Sequence, residues 1–148
     1  SYHLGPAAYQ QVGMTRGIAE TQHNLGITLR DQGDLRGALV AAEDALRLAR
    51  EAGDERLATL AATGRAELHL LLGDTALAAV ELERAAARYE QIGFRAGLAE
   101  VRRVQAGVAR ARGLLADAAR LLEEAAHLAT EHSLSDVLTD VERDRAGG

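Results

Sequence analysis

The sequence predicts an all-α fold, an array of antiparallel helix pairs with about three full units and partial units at both ends. Three observations predict it. Small residues recur 40 positions apart: Gly33, Gly73 and Gly113; Ala38, Ala78 and Ala118; Ala45, Ala85 and Ala125; Gly26, Ala66 and Ala106; and Gly13, Gly53 and Gly93, with Ser133 in the next place. Between them, apolar residues step by three, four and seven, the spacing of one helical face. Hydrophobic residues reach 47% while aromatics are only 3%, so the core is built from Ala, Leu, Val and Ile, which favours closely packed helices.

The first element is a short helix over 6–12, opened by Pro6, whose missing N–H is no loss at a first helical position. Gly13 turns the chain, and helix 17–32 follows with Ile18, Leu25 and Leu29 on one face. Gly33 suits a left-handed helix end, and Asp34 can cap the next helix by accepting a backbone N–H. Helix 35–52 sets Leu35, Leu39, Ala42, Leu46 and Ala49 on one side. The pattern repeats in helices 55–72 and 75–92, joined at Gly73-Asp74, and in 95–112 and 115–132, joined at Gly113. A helix from Ser135, its N-cap, to about Arg145 closes the array. The units are about 17–54, 55–94 and 95–134, within one domain spanning 1–148.

Residues 9–20, YQQVGMTRGIAE, return as residues 89–100, YEQIGFRAGLAE, two periods later. The stretch reads as the seam between consecutive units. Its aromatic closes one helix pair, Gly13 or Gly93 makes the turn, Ile18 or Leu98 opens the next pair, and Met14 or Phe94 plugs the gap beneath. Ala38, Ala45 and Gly26 fall where two helices of a unit touch, so a large side chain there would overpack the contact at about 1–3 kcal/mol.

Composition excludes several function classes. The net charge of −5 argues against a nucleic-acid binder that draws its affinity from phosphate neutralisation. All 17 basic residues are Arg, which rules out a phosphate-loop Lys, a Schiff-base Lys and a Lys general base, and suggests a GC-rich bacterial source. The absence of Cys removes disulfides, Cys-based zinc sites and thiol nucleophiles. No apolar run approaches the roughly 18 residues that span a bilayer, and no signal-peptide pattern opens the chain, so no membrane association is expected and the expected location is cytoplasmic.

The motif Leu25-Gly26…Leu29…Gly33-Asp34…Ala38…Ala42…Ala45 resembles the tetratricopeptide repeat. Ala66…His69…Gly73-Asp74…Ala78…Leu82…Ala85 and Ala106…Ala109…Gly113…Ala118…Leu122…Ala125 answer the same pattern less completely, and the resemblance covers about residues 9–145. It departs from the family where Gln22, Ala62 and Arg102 stand in place of Trp, where the terminal Pro is missing, and in a unit of 40 residues against a usual length of about 34. HEAT and armadillo repeats share the longer length, but the Gly-Asp seam and paired Ala columns fit tetratricopeptide units better. Long units of this kind resemble arrays in large bacterial signal-transduction ATPases and transcriptional regulators, including the maltose-activator type. The resemblance implies a right-handed α-solenoid serving as a non-catalytic protein–protein interaction module, here expected to be a fragment of a larger regulator. The alternative it leaves open is an effector sensor, and a structural spacer is a third.

If the family geometry holds, the first helix of each unit lines the concave wall. The inward positions are then Glu20, His23, Ile27, Arg30 and Asp31; Leu60, Thr63, Glu67, Leu70 and Leu71; and Glu100, Arg103, Gly107, Arg110 and Ala111. Such a wall could hold a peptide by apolar contacts while Arg103 and Arg110, seven residues apart, grip a carboxylate. The bland alternative is that the Leu run packs under the next helix and the arginines pair with nearby acids. Asn24 is the only Asn, which disfavours the carboxylate-clamp subtype with its Lys and Asn ligands.

No cofactor and no metal are expected. His127 and His132 point to different sides of a helix, and no further ligand completes a set. His69 takes the large-residue place of its unit and reads as an inter-helix histidine. Glu123 and Glu124 are adjacent and diverge, and Gly93-Phe94-Arg95-Ala96-Gly97 has no strand before it, so neither general acid/base nor phosphate-loop chemistry is indicated. The chain is therefore not expected to be an enzyme. End-to-end self-association is expected through Leu4, Tyr9, Leu138 and Val141, because the end units expose apolar faces.

Overall fold

The computed structural model describes residues 6–147, with side chains from Gln10 onward. Among these residues the chain is all-α, in seven helices without a strand: α1 Pro6–Asp31, α2 Leu35–Glu51, α3 Glu55–Leu71, α4 Thr75–Ile92, α5 Arg95–Ala111, α6 Leu115–Glu131 and α7 Ser135–Ala146. Consecutive helices pack against each other, α1 on α2 near the start of the chain and α4 on α5, α5 on α6 and α6 on α7 in its second half, as the 40-residue register demands. The chain divides into two compact units, Ser1–Leu68 and His69–Gly148, with the boundary inside α3.

The turns follow the local chemistry of their residues. Gly33, Gly53, Gly73, Gly93 and Gly113 all have positive φ, between 70° and 92°, and Ser133 takes the sixth place at φ 55°. At the first of these, Gly33 N–H donates to Arg30 O and Asp34 N–H to Leu29 O, which satisfies the open carbonyls of α1. Asp34 Oδ1 then accepts from Gly37 N at 2.9 Å and Asp54 Oδ1 from Leu57 N at 3.0 Å, which starts α2 and α3. Asp74 makes no such side-chain bond.

In the first unit, Ala45, Leu46 and Ala49 of α2 pack with Leu57, Ala58 and Ala61 of α3 and with Ala19 of α1. A second cluster gathers Ala38, Ala42 and Leu68, flanked by Leu29, Leu35 and Leu39. In the second unit Ala106, Leu122 and Ala125 close over Val141 of α7. The columns inside the helices, Gly26/Ala66/Ala106, Ala38/Ala78/Ala118 and Ala45/Ala85/Ala125, are buried throughout, as their spacing predicts, whereas the glycines of the turns are exposed. Gly26 shows why: a Cβ there would stand 3.4 Å from Ala38 O and 3.6 Å from Ala41 Cβ, already in van der Waals contact, so the α1–α2 approach suits a residue no larger than the Ala found at the corresponding positions 66 and 106.

Three expectations need correction. The short helix 6–12 and helix 17–32 are one continuous α1, and Gly13 is helical rather than a turn. A single interior Gly costs a helix only about 1 kcal/mol against Ala, and no side chain packs at Gly13 to force the break. Ile18 and Leu25 are also not buried, at 52% and 43% exposed, while Ala19 and, as its small-residue column predicts, Gly26 are buried. Close approach to α2 selects the small residues, which lie one position along the helix from the large ones. Val141 is fully buried against Ala106, Leu122 and Ala125, so it is not available for end-to-end association. Leu4 and the Tyr9 side chain lie outside the described residues, and Leu138 is half-buried.

Candidate functional site

In the first unit the first-helix residues come from α1 and α3. Helical spacing puts Glu20, His23, Ile27 and Arg30 along one side of α1, and Leu60, Gly64 and Glu67 along one side of α3. His23, Gly26, Ile27, Arg30, Gly64 and Leu68 surround a shallow hollow whose cavity is about 20 Å³, room for one water. Arg30, one of its lining residues, is held by an ion pair from its Nη1 to Glu67 Oε1 at 2.6 Å, and Arg30 Nη2 also reaches Asp31 at 3.5 Å. Ile27 and Leu60 are partly exposed beside it, and Glu20 is exposed. Burial, and secondarily the Arg30 guanidinium, lowers the pKa of His23 from its ordinary value, so its ring is neutral near pH 7. Thr63 does not belong to the surface: it is buried, and its hydroxyl donates to Thr59 O at 2.8 Å.

In the second unit the arginines carry out a different task from the one their spacing suggests. Arg103 is only 4% exposed. Its guanidinium donates to both oxygens of Glu100, at 2.5 and 3.1 Å, and to Asp144 Oδ2 of α7 at 3.3 Å. Arg110 Nη2 donates to the Asp144 main-chain oxygen at 2.7 Å. The expected grip on a carboxylate is therefore made within the chain, where it fixes α7 to α5. Arg103 and Arg110 do come together, but on α7 rather than on open surface. Leu70 lies over Gly107, where a Cβ would stand 2.9 Å from Leu70 Cδ2, whereas Leu71 is exposed, as is Ala111. His69 Nδ1 pairs with Glu81 Oε1 at 2.5 Å, tying the end of α3 to α4 as an inter-helix histidine would.

Sequence reasoning missed Gly64 and Asp144. Gly64 had a signal, because its counterparts 40 residues away are Asn24 and Val104, so no small-residue column asks for glycine there. Asp144 had none, since an acid near the end of a polar helix looks the same whether it meets solvent or a buried Arg.

The first helix hairpin, seen in isolation, has a known relative. Residues 18–52 match the family model of the tetratricopeptide repeat. The match spans the C-terminal half of α1 and all of α2, and the hairpins that follow repeat its small-residue columns. No curated protein and no solved structure matches the chain. Tetratricopeptide repeats generally mediate protein–protein interaction, and all-helical repeats of this type are typically non-catalytic. Among the described residues no helix is long and apolar enough to cross a membrane.

Proposed function

We propose that the chain is a protein-binding module whose ligand is a peptide segment of another protein, held on the first-helix face of the first unit. Gly64 is the observation that supports this most directly. It sits in the interior of α3, where glycine costs about 0.5–1 kcal/mol relative to Ala, and nothing lies within 4 Å of a Cβ built there. Neither the chain's own packing nor the repeat register needs a glycine at this point. A partner side chain seated between Ile27 and Leu60 does need one. The flanking Arg30–Glu67 pair and exposed Glu20 offer polar groups to the peptide backbone and to a basic residue beside the apolar anchor.

The wider setting we infer is a larger cytoplasmic regulator of bacterial origin, supported by the Arg-only composition and by the resemblance of 40-residue units to arrays in such proteins. An effector sensor is the alternative, with a small molecule in place of the peptide. The tetratricopeptide match over residues 18–52 favours the peptide, since repeats of this kind generally bind segments of other proteins.

Selection of a displayed random-peptide library against the chain tests the proposal. Enriched peptides should share an apolar anchor and lose at least about tenfold in affinity with Gly64→Leu or Ile27→Asp, a loss of about 1.4 kcal/mol or more. Gly64→Ala, which adds a single methyl, controls for folding, and Leu115→Asp in the second unit should leave binding unchanged. A library that yields no binder, or binders indifferent to Gly64→Leu and Ile27→Asp, would overturn it. A metabolite that raises the melting temperature of the parent chain but not of Gly64→Leu would decide for the sensor.

A further inference from the structure

The start of α6 carries an apolar face that stands more open than its counterpart in the first unit. Leu35 and Leu39 at the start of α2 are half-buried in a cluster with Leu68 of α3. Eighty residues on, Leu115 is 66% exposed and Ala119 is exposed too. Below them Ala118 and Leu122 are buried, so the opening has an apolar floor. A hollow of about 200 Å³ results, against about 20 Å³ for the one at His23. Its remaining lining residues are Arg110, near the end of α5, and Arg145, near the end of α7.

The charge of this hollow is one-sided. Arg110 Nη2 donates to the Asp144 main-chain oxygen at 2.7 Å, which steadies the guanidinium and leaves its other donors open. Neither Arg110 nor Arg145 forms an ion pair among the described residues. The Asp144 carboxylate is taken up by Arg103 and Arg143, at 3.3 and 3.6 Å. Two other hollows of the second unit are lined by acids as well as arginines: Glu90 and Glu124 accompany Arg95 and Arg102 in one, and Glu83 and Asp117 accompany Arg112 and Arg120 in the other. Here no acid is present. Every polar side chain at the hollow is a donor, so a peptide laid in it would find no side-chain acceptor for its amide N–H groups. A ligand that is hydrocarbon throughout, apart from one carboxylate, satisfies both halves of the lining.

We propose that this hollow is a binding site for an aliphatic carboxylate, a free acid of medium chain length. Its hydrocarbon lies over Leu115, Ala118, Ala119 and Leu122, and its carboxylate is shared between Arg110 and Arg145, whose planar donor forks match carboxylate geometry. The size suits such a chain, since about 200 Å³ is the liquid volume of roughly seven waters. The site lies wholly in the second unit and does not rest on the peptide reading of the first, so either can fail without the other.

Octanoate is the probe, kept below its micelle-forming concentration and titrated into the full chain while heteronuclear NMR follows the amide shifts. Saturable shifts should centre on Leu115, Ala118 and Ala119 and spare Ile27 and Gly64. Arg145→Gln should weaken binding about tenfold and Arg145→Lys by less, because Lys keeps the charge and loses the fork. Leu115→Asp, which places an acid beside the ligand's chain, should weaken it by about tenfold or more. Octanol, the same chain without the charge, should bind at least about tenfold more weakly than octanoate. Arg145 and Leu115 are both exposed, so these variants keep the fold, and circular dichroism confirms their helix content. The absence of saturable shifts, an affinity unmoved by Arg145→Gln or by Leu115→Asp, or octanol bound as tightly as octanoate would each refute the proposal. A short peptide with a C-terminal leucine that displaces octanoate and binds more tightly would also refute it, and would assign the hollow to chain ends.

Discussion

Residues 9–20 and 89–100 share six of their twelve residues, and three of the six differences, Val12/Ile92, Met14/Phe94 and Ile18/Leu98, exchange one apolar residue for another, yet one stretch is a continuous helix and the other a closed turn. Helix propensity alone does not separate them, because each contains two glycines at the same spacing. What separates them is packing. In the second stretch Tyr89, 1% exposed, is held over Gly97 with Phe94 beside it, and that contact fixes Gly93 in the left-handed region. In the first, Gly13 and Gly17 have no such neighbour, and the backbone keeps its helical hydrogen bonds. A seam sequence therefore permits the turn, and the tertiary contact enforces it.

The comparison breaks most strongly where that contact is deleted. Tyr89→Ala should cost about 3–5 kcal/mol, as removal of a fully buried aromatic does. The urea midpoint should fall with little change in slope, and near-ultraviolet dichroism should weaken. A loss under 1 kcal/mol would mean that the turn is fixed by Gly93 alone. The glycines beneath give a pair of opposite signs. Gly97→Ala drives a methyl into the Tyr89 ring and should destabilise by about 1–3 kcal/mol, whereas Gly17→Ala meets open space in a helix and should stabilise by about 0.5–1 kcal/mol. The turn glycines give a second such pair. Gly93→Ala, at φ 70°, should cost about 1–2 kcal/mol, while Gly13→Ala should gain about 1 kcal/mol. Equal shifts within either pair, measured by urea unfolding, would show that the two stretches share one conformation in solution.

How far the sequence could be read depends on whether a feature is local. Gly33, Gly53, Gly73, Gly93 and Gly113 each mark a turn through their own backbone freedom, so the 40-residue register and five of the turns between helices follow from the letters. The exposure of Ile18 and Leu25 did not follow, because hydrophobicity points both inward while α1 is buried at Ala19 and at Gly26, of which only Gly26 was marked by a small-residue column. For Arg103, pairing with a nearby acid was the alternative reading and Glu100 answers it, but the second partner Asp144, 41 residues away in sequence, did not follow. A charged residue on a helical stripe carries no mark of whether the next first helix will bury it. Gly64 lies between these cases, legible as an exception to the register but not as the floor of a hollow.

Ser133 provides the finest division between what the letters permit and what packing enforces. It stands in the sixth turn, where every earlier unit has glycine, and it holds φ 55°, the only positive φ among described residues other than glycine. Its turn hydrogen bonds are the standard ones, Ser133 N–H to Thr130 O at 3.2 Å and Leu134 N–H to Ala129 O at 2.8 Å, so the strain is carried by the residue and not relieved by a changed turn. Ala129 and Val141, both fully buried on either side, hold α6 and α7 in place around it. If that packing is what maintains the turn, Ser133→Gly relieves the steric cost, offset in part by the added freedom of the unfolded chain, and raises stability by about 0.5–1 kcal/mol. If the turn were instead loose, glycine would bring only the entropy penalty and stability would fall. The sign of a small shift in the urea midpoint separates the two, and a gain places the last seam with residues 89–100 rather than with residues 9–20.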